Sequence, residues 1–259
     1  MAAPIFEGKV CIVTGAARGL GRDYARFFSE DGATVVVADI DVSGARETAE
    51  SIVKKGGNAL AVPVDVTDAA STEAMAAAAV HEFGRIDILV NNAGLFGDLK
   101  MTWLLDTDPN YWDVVMAVNA KGPFLCSRAV VPTMVDQGQG RLIHISSIGA
   151  WTPGTVYSVS KLAVHQISAS LAAALGDLGI TSNCVAPGAI WNEASQRQID
   201  DDDSPVTVEQ MESMRATFMI KRFGTSRDMY GAIRYLASDD AAWVTSQVIS
   251  PNGGGTPRF

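Results

Sequence analysis

The sequence predicts one α/β domain spanning residues 1–259, a doubly wound parallel sheet of about seven strands with helices on both faces. Three observations predict it: short apolar runs alternate six times with longer helix-patterned segments, a glycine-rich loop lies at the first such junction, and neither an internal repeat nor a dividing linker interrupts the 259 residues. Residues 9–14 read as an apolar, β-rich strand, and after the glycine-rich stretch residues 23–30 continue as a helix that ends before Gly32. Residues 34–39 are short and almost wholly apolar, as a strand covered on both faces must be. The alternation goes on through helix 43–55, strand 59–65, an Ala-rich amphipathic helix 69–83, strand 86–91, helix 111–135, strand 141–146, helix 158–178 and strand 181–185. A helix at 229–237 and a last strand at 247–250 close the sheet.

Composition narrows the function classes. A net charge of −9 is the wrong sign for a surface that must sit on phosphate backbones or anionic lipid, so neither nucleic acid nor membrane partners are expected. Residues 1–9 hold no apolar stretch resembling a signal peptide, and no run approaches the roughly 18–20 uninterrupted apolar residues of a membrane helix, which together predict a cytoplasmic protein. Cys11, Cys126 and Cys184 sit in apolar contexts without metal-ligand spacing, so they read as packed thiols and no metal is expected. His81, His144 and His165 read as structural for the same reason.

One region breaks the rhythm. Residues 188–219, after Pro187-Gly188, are irregular, with Trp191, the run Asp200-Asp201-Asp202-Asp203 and a short helix at 211–215. Long loops in compact domains are usually functional or disordered, so a substrate lid and a solvated acidic excursion are the two readings.

The loop Thr14-Gly15-Ala16-Ala17-Arg18-Gly19-Leu20-Gly21 follows the first strand and opens the first helix, where glycines let a pyrophosphate approach the backbone at the positive helix end. Asp39 ends the second strand 18 residues after Gly21, the place for a carboxylate that accepts from an adenosine ribose and repels a 2′-phosphate, with Ile40 beside it. NAD is therefore expected over NADP, although Arg18 offers a cation to such a phosphate. Asp65 and Val66 are candidates for the adenine site; the alternative for Asp65 is a helix cap.

That loop, the run Asn91-Asn92-Ala93-Gly94, Asn119, Ser147, Tyr157-Ser158-Val159-Ser160-Lys161 and Pro187-Gly188 resemble the short-chain dehydrogenase/reductase family, in its order and over nearly the whole chain. The resemblance implies a Rossmann-type fold, and cofactor contacts from Gly15, Arg18, Gly19, Leu20, Gly21, Asp39, Ile40, Asp65, Val66, Asn92, Ala93, Gly94, Tyr157, Lys161, Pro187, Gly188, Ile190 and Asn192. It implies catalytic roles for Asn119, Ser147, Tyr157 and Lys161. Tyr157 and Lys161 are i and i+4 on a helix, so they share a face, and an ammonium beside a phenol is expected to bring its pKa down from about 10 toward the working range. Tyr157 then exchanges a proton with the substrate oxygen while hydride moves. By the same resemblance Lys161 binds the nicotinamide ribose, Ser147 hydrogen-bonds the substrate oxygen, and Asn119 holds a water that links the lysine to solvent. Ser147 stands 10 residues before Tyr157 where the family usually has about 12–14, which implies a shortened loop and keeps Ser146 as the alternative. Asn192 stands where the family often has a threonine that contacts the nicotinamide carboxamide, and Asn252-Gly253-Gly254 where it has Asp-Gly-Gly.

Phe96, Trp151 and Trp191 fall where the family lines its substrate cavity, which suggests an apolar or aromatic substrate; the alternative is that they pack the lid. The expected function is an NAD-dependent enzyme interconverting a secondary alcohol and a ketone. The alternatives are an NADPH-dependent ketone or 3-oxoacyl reductase and a non-catalytic NAD-binding sensor. A homotetramer is expected from the resemblance and from a small-residue helix face at Ala163, Ala169, Ala172 and Ala173.

Overall fold

A computed structural model describes residues 4–96, 102–191, 196 and 207–256. Its seven strands are β1 (Val10–Thr14), β2 (Thr34–Asp39), β3 (Ala59–Pro63), β4 (Ile88–Asn91), β5 (Gly140–Ile145), β6 (Ile180–Val185) and β7 (Val248–Ile249). All pair in parallel, in the order β3-β2-β1-β4-β5-β6-β7. The order reverses between β1 and β4, so the chain leaves the C-terminal ends of these neighbours in opposite directions and opens a crevice there.

The helices are α1 (Gly19–Glu30), α2 (Val42–Val53), α3 (Ala69–Phe83), α4 (Pro109–Met116), α5 (Gly122–Gln137), α6 (Val156–Leu175), α7 (Val208–Thr217) and α8 (Ser226–Ala237). On one sheet face α1, α2 and α8 bury Tyr24, Phe28, Ile52, Tyr230 and Ile233 against Cys11, Val13, Val35 and Val37. On the other, Met75, Ala79, Cys126, Val130, Met134 and Leu175 pack on Ile12, Val36, Leu89 and Leu142. Alternate strand residues serve opposite layers, which is why the strands read as unbroken apolar runs.

Several boundaries move. The first helix begins at Gly19, four residues before the expected 23, because the glycine loop itself supplies its first turn. The helix in the acidic region covers Val208–Thr217, held at its start by a reciprocal Thr207/Gln210 capping box, where 211–215 was expected. Asp200 to Asp203 lie outside the described residues. The long helix expected over 111–135 starts at Pro109 and is interrupted by a π-helical turn, Ala117–Lys121, before α5. The run Pro109–Gln137 is long and apolar enough to cross a bilayer by composition, yet half of its most apolar window is buried inside the protein. The small-residue face also needs correction. Ala172 is buried against this chain's own core while Ala173 is exposed, so the four alanines do not form one outward face. Outward on α6 are Val159 and Leu162 instead.

All three thiols are buried and unpaired. His144 on β5 is fully buried: its Nδ1 accepts from Asn91 Nδ2 at 3.1 Å, and its Nε2 faces Ser182 Oγ at 3.1 Å, which in turn meets Ser168 Oγ at 3.0 Å. A second ring proton would point at the Asn91 amide donors, so the site accommodates only neutral imidazole, and burial holds the pKa down at about 4. The fold therefore gains from a neutral His144 above the unfolded pKa near 6.5 and loses that gain as pH falls toward 4, on the order of 3 kcal/mol in all. Urea unfolding at pH 7 and pH 5 is expected to show this fall, and His144→Gln, which stays neutral, is expected to show a smaller one. Equal falls in the two proteins would refute the assignment.

Candidate active site

The crevice is built first from the glycine loop. Gly15 has φ +65°, and a Cβ there would stand 2.7 Å from Ala93 Cα; a Cβ on Gly21 would stand 2.1 Å from the Gly15 carbonyl oxygen and 2.5 Å from Asn92 Nδ2. The loop and the Asn92-Ala93-Gly94 run thus close on each other only because both glycines lack side chains. Asn92 Nδ2 donates to the carbonyls of Thr14 and Gly15 at 2.9 and 3.0 Å.

Helix α1 starts here with Arg18 as its N-cap and no side-chain cap. Among the described α-helices that start from a loop, the others are capped, by Asp41, Asp68, Asp108, Thr155, Thr207 and Thr225. The first-turn N–H groups and the positive end of α1 are therefore left to an external anion, which fits a dinucleotide pyrophosphate. Asp39 stands at the rim. Its two carboxylate oxygens accept from Ala17 N at 2.8 Å and Asp41 N at 2.9 Å, which fixes the group in place, and Ile40 beside it is exposed. Asp65 does not cap a helix: Asp68 does, accepting from Ser71 N at 2.9 Å. Asp65 Oδ1 instead closes a turn by accepting the N–H and hydroxyl of Thr67 at 2.9 and 2.7 Å. Val66 is buried, and Gly122 lies so close that a Cβ there would reach it at 2.9 Å.

The ends of β4 and β5, the π turn and α6 bring Asn119, Ser147, Tyr157 and Lys161 together. Lys161 is buried and donates to the Ile145 carbonyl at 3.0 Å, with its Nζ 5.8 Å from the Tyr157 ring centroid. Ser147 stands beside Tyr157, both flanking Gly149, and favours the ionised phenol, while its oxygen accepts from Gly149 N at 3.0 Å. Ser146 points the other way. It donates to the Lys161 carbonyl at 3.1 Å and meets His165 Nε2 at 2.7 Å, so strand alternation separates the two serines and leaves only Ser147 at the phenol. Asn119 is wholly buried on the π turn; Oδ1 accepts from Leu95 N at 2.7 Å and Nδ2 donates to Ser160 Oγ at 3.2 Å.

The expected acidification of the phenol is not met in the protein as it stands. Burial pushes Tyr157 up to about 12, opposed by the Ser147 hydrogen bond, and burial pushes Lys161 down to about 8. Burial dominates in both groups, and the Lys161 ammonium donates to the Ile145 carbonyl with its Nζ 5.8 Å from the Tyr157 ring centroid.

Phe96 packs on Tyr157 with ring centroids 5.9 Å apart, at the mouth of the site. Trp191 packs on Phe223 at 5.3 Å, and its segment is anchored by a bridge between Ile190 and Gly224. Trp151 lies against His165 at 5.1 Å. Pro187 and Gly188 form the turn after β6, where Gly188 N donates to the Pro251 carbonyl at 3.1 Å; Asn192 lies outside the described residues. Sequence reasoning missed Phe223, Gly149 and Ser160. For Gly149 the only signal was its place two residues after Ser147, and a Cβ there would press on the Tyr157 ring at 3.1 Å.

A family model described as enoyl-(acyl carrier protein) reductase matches residues 15–256. An uncharacterized oxidoreductase of Mycobacterium tuberculosis is 40% identical over 250 residues, covering 96% of this chain and 98% of that protein. The BbsD subunit of (2S)-[(R)-hydroxy(phenyl)methyl]succinyl-CoA dehydrogenase from Thauera aromatica is 36% identical over 255 residues, covering 96% of each. A crystal structure from Sinorhizobium meliloti 1021, provisionally described as a short-chain alcohol dehydrogenase, superposes with a TM-score of 0.87 at 32% identity, covering 97% of this chain and 98% of that one.

Gly21→Ala must displace backbone, so it is expected to cost about 1–3 kcal/mol in urea unfolding. Gly231→Ala, where a Cβ meets nothing within 4 Å inside α8, is expected to be neutral or stabilising. Similar unfolding midpoints for the two variants would contradict the close packing of the loop.

Proposed function

The chain belongs to the short-chain dehydrogenase/reductase family, oxidoreductases that work with a nicotinamide cofactor, and from that premise we propose that it interconverts a secondary alcohol and a ketone using NAD. The observation that carries this reading is the buried Tyr157 with Ser147 beside it and the Lys161 ammonium one helical turn on, 5.8 Å from its ring centroid. A bound nicotinamide supplies the hydride acceptor, or in its reduced form the donor, and in its oxidised form a positive ring charge.

The chain's own residues do the rest. Gly15, Arg18, Gly19, Leu20 and Gly21 would hold the pyrophosphate at the α1 N-terminus, Asp39, Ile40, Asp65 and Val66 the adenosine, and Asn92, Ala93, Gly94, Lys161, Pro187, Gly188 and Ile190 the nicotinamide half. Alcohol oxidation gives ketone, hydride and one proton, and Tyr157 Oη takes the proton; in reduction it returns one to the carbonyl oxygen. With its oxygen already accepting from Gly149 N, Ser147 has its own proton to donate to the substrate oxygen as charge builds there. Lys161 keeps a positive charge beside the phenol, and Asn119 joins it to a solvent relay. Burial holds the phenol protonated at neutral pH, ready to donate in the reduction direction.

Phe96, Trp151 and Trp191 favour an apolar or aromatic substrate, in keeping with the hydroxy(phenyl)methyl group in the name of the Thauera relative. The fixed carboxylate of Asp39 favours NAD. A second reading, an NADPH-dependent ketone or 3-oxoacyl reductase, is favoured by the acyl-carrier-protein reductase description of the family model and by Arg18 at the α1 N-cap. With the first, NAD-dependent reading goes a cytoplasmic homotetramer, for which the exposed Val159, Leu162 and Phe124 are the proposed apolar contact residues.

Tyr157→Phe is expected to lower hydride transfer by about 10²–10⁴-fold in a spectrophotometric NADH assay while NADH still binds. Turnover close to wild type would remove Tyr157 from the chemistry. Wild-type protein is expected to prefer NADH to NADPH, and Asp39→Ala to narrow that preference by about tenfold or more. Wild-type preference for NADPH would select the second reading.

A further inference from the structure

The Asn119 side chain meets partners that require opposite ends of its amide. The Leu95 N–H donates to Oδ1 at 2.7 Å, and the Leu95 carbonyl accepts from Nδ2 at 3.4 Å, a longer bond than the one Ser160 takes. Ser160, fully buried on α6, spends its one hydroxyl proton on the Tyr157 carbonyl at 2.7 Å, so its oxygen can only accept, and it takes Asn119 Nδ2–H at 3.2 Å. The carbonyl end of the amide is thereby turned toward Gly94, where a Cβ would stand 3.2 Å from Asn119 Oδ1 and 3.2 Å from Lys161 Nζ. We propose that Ser160 is a positioning residue: it ties the π turn to the Tyr157–Lys161 turn of α6 and holds the Asn119 carbonyl oxygen in the niche beside the lysine ammonium.

The π turn makes this tie possible. An extra residue in the turn displaces the Asn119 backbone from α-helical register, and such bulges are known to re-aim side chains at functional sites. Asn119 brings no charge of its own. The ionisable groups flanking Lys161 are Tyr157 and His165 on its own helix and Cys184 on β6, so changes at Ser160 alter dipoles near Lys161 without adding or removing a charge.

The kinetic part of the test rests on the oxidoreductase reading; the structural part does not. The two Asn119 side-chain amide protons can be identified in a nitrogen–proton NMR spectrum by their loss in Asn119→Ala. In Ser160→Ala their exchange with water is expected to quicken by about tenfold or more, since one partner is gone, and Ser160→Thr, which keeps the hydroxyl, is expected to restore slow exchange. Unchanged exchange in Ser160→Ala, or a Thr variant as fast as the Ala variant, would overturn the proposal whether or not the protein turns over any alcohol. In steady-state assays Ser160→Ala is expected to lower kcat by about tenfold and move its pH profile, with KM within about twofold. In the Asn119→Ala background the same substitution is expected to do nothing further. Equal losses in both backgrounds would mean that Ser160 does not act through Asn119. No turnover by wild type with intact NMR behaviour would instead refute the function proposed above.

Discussion

A cation taken out of water governs this site. Lys161 is buried, and an ammonium so placed must find oxygen or aromatic faces close by. The fold answers with the Ile145 carbonyl at 3.0 Å and the Tyr157 ring face. Ile145 is the last residue of β5, so this one hydrogen bond fixes how α6 lies across the strand end. The next two residues then point to opposite sides: Ser146 inward to the Lys161 carbonyl and His165, Ser147 outward to the phenol. Alternation past the end of β5 thus separates the two serines, and the seat of the lysine at Ile145 sets α6 beside them.

Much of this was legible beforehand because parallel strands advertise themselves. Both faces of such a strand are covered, the runs are apolar throughout, and their alternation with helices leads directly to the doubly wound order. The place of Asp39 at the end of β2 was legible because the apolar run stops there. Ser147 was legible from strand alternation even though its spacing to Tyr157 is short. What was not legible depends on depth or on small changes of register. The π turn hides within a helix pattern because one extra residue barely disturbs a 3.6-residue period. The depth of Tyr157 and Lys161 does not follow from their i, i+4 spacing, so the direction of the phenol pKa was misjudged. Asp65 was weighed as a cap because two turn-forming aspartates stand three apart, and the second, Asp68, begins the helix. The alanines of α6 were read as one face, although Ala172 and Ala173 point to different sides.

The helix caps make a related point about the cofactor end. Six helices that start from loops close their first turns with Asp or Thr, so the chain has ample means to satisfy orphan N–H groups. At α1 it does otherwise, placing an arginine and glycines where a short oxygen-bearing side chain would be stabilising by about 1 kcal/mol. Among the described α-helices that start from loops, α1 alone leaves its first turn without a side-chain cap, which suits the binding of an anion there.

The two ends of the site are joined by the residues that leave β4. Asn91 reaches His144 and Ser127 inside the sheet, and the Asn92 and Ala93 N–H groups both donate to the Thr14 hydroxyl at 3.1 Å. Asn92 also holds the glycine loop through its amide, Gly94 leaves room beside Lys161, and Leu95 grips Asn119 through both its N–H and its carbonyl. Five consecutive residues thus touch the buried polar network, the glycine loop and the Asn119–Lys161 cluster in turn. Four of the five make directed hydrogen bonds, so the glycine loop, the end of β4 and the π turn are tied to one short coil segment.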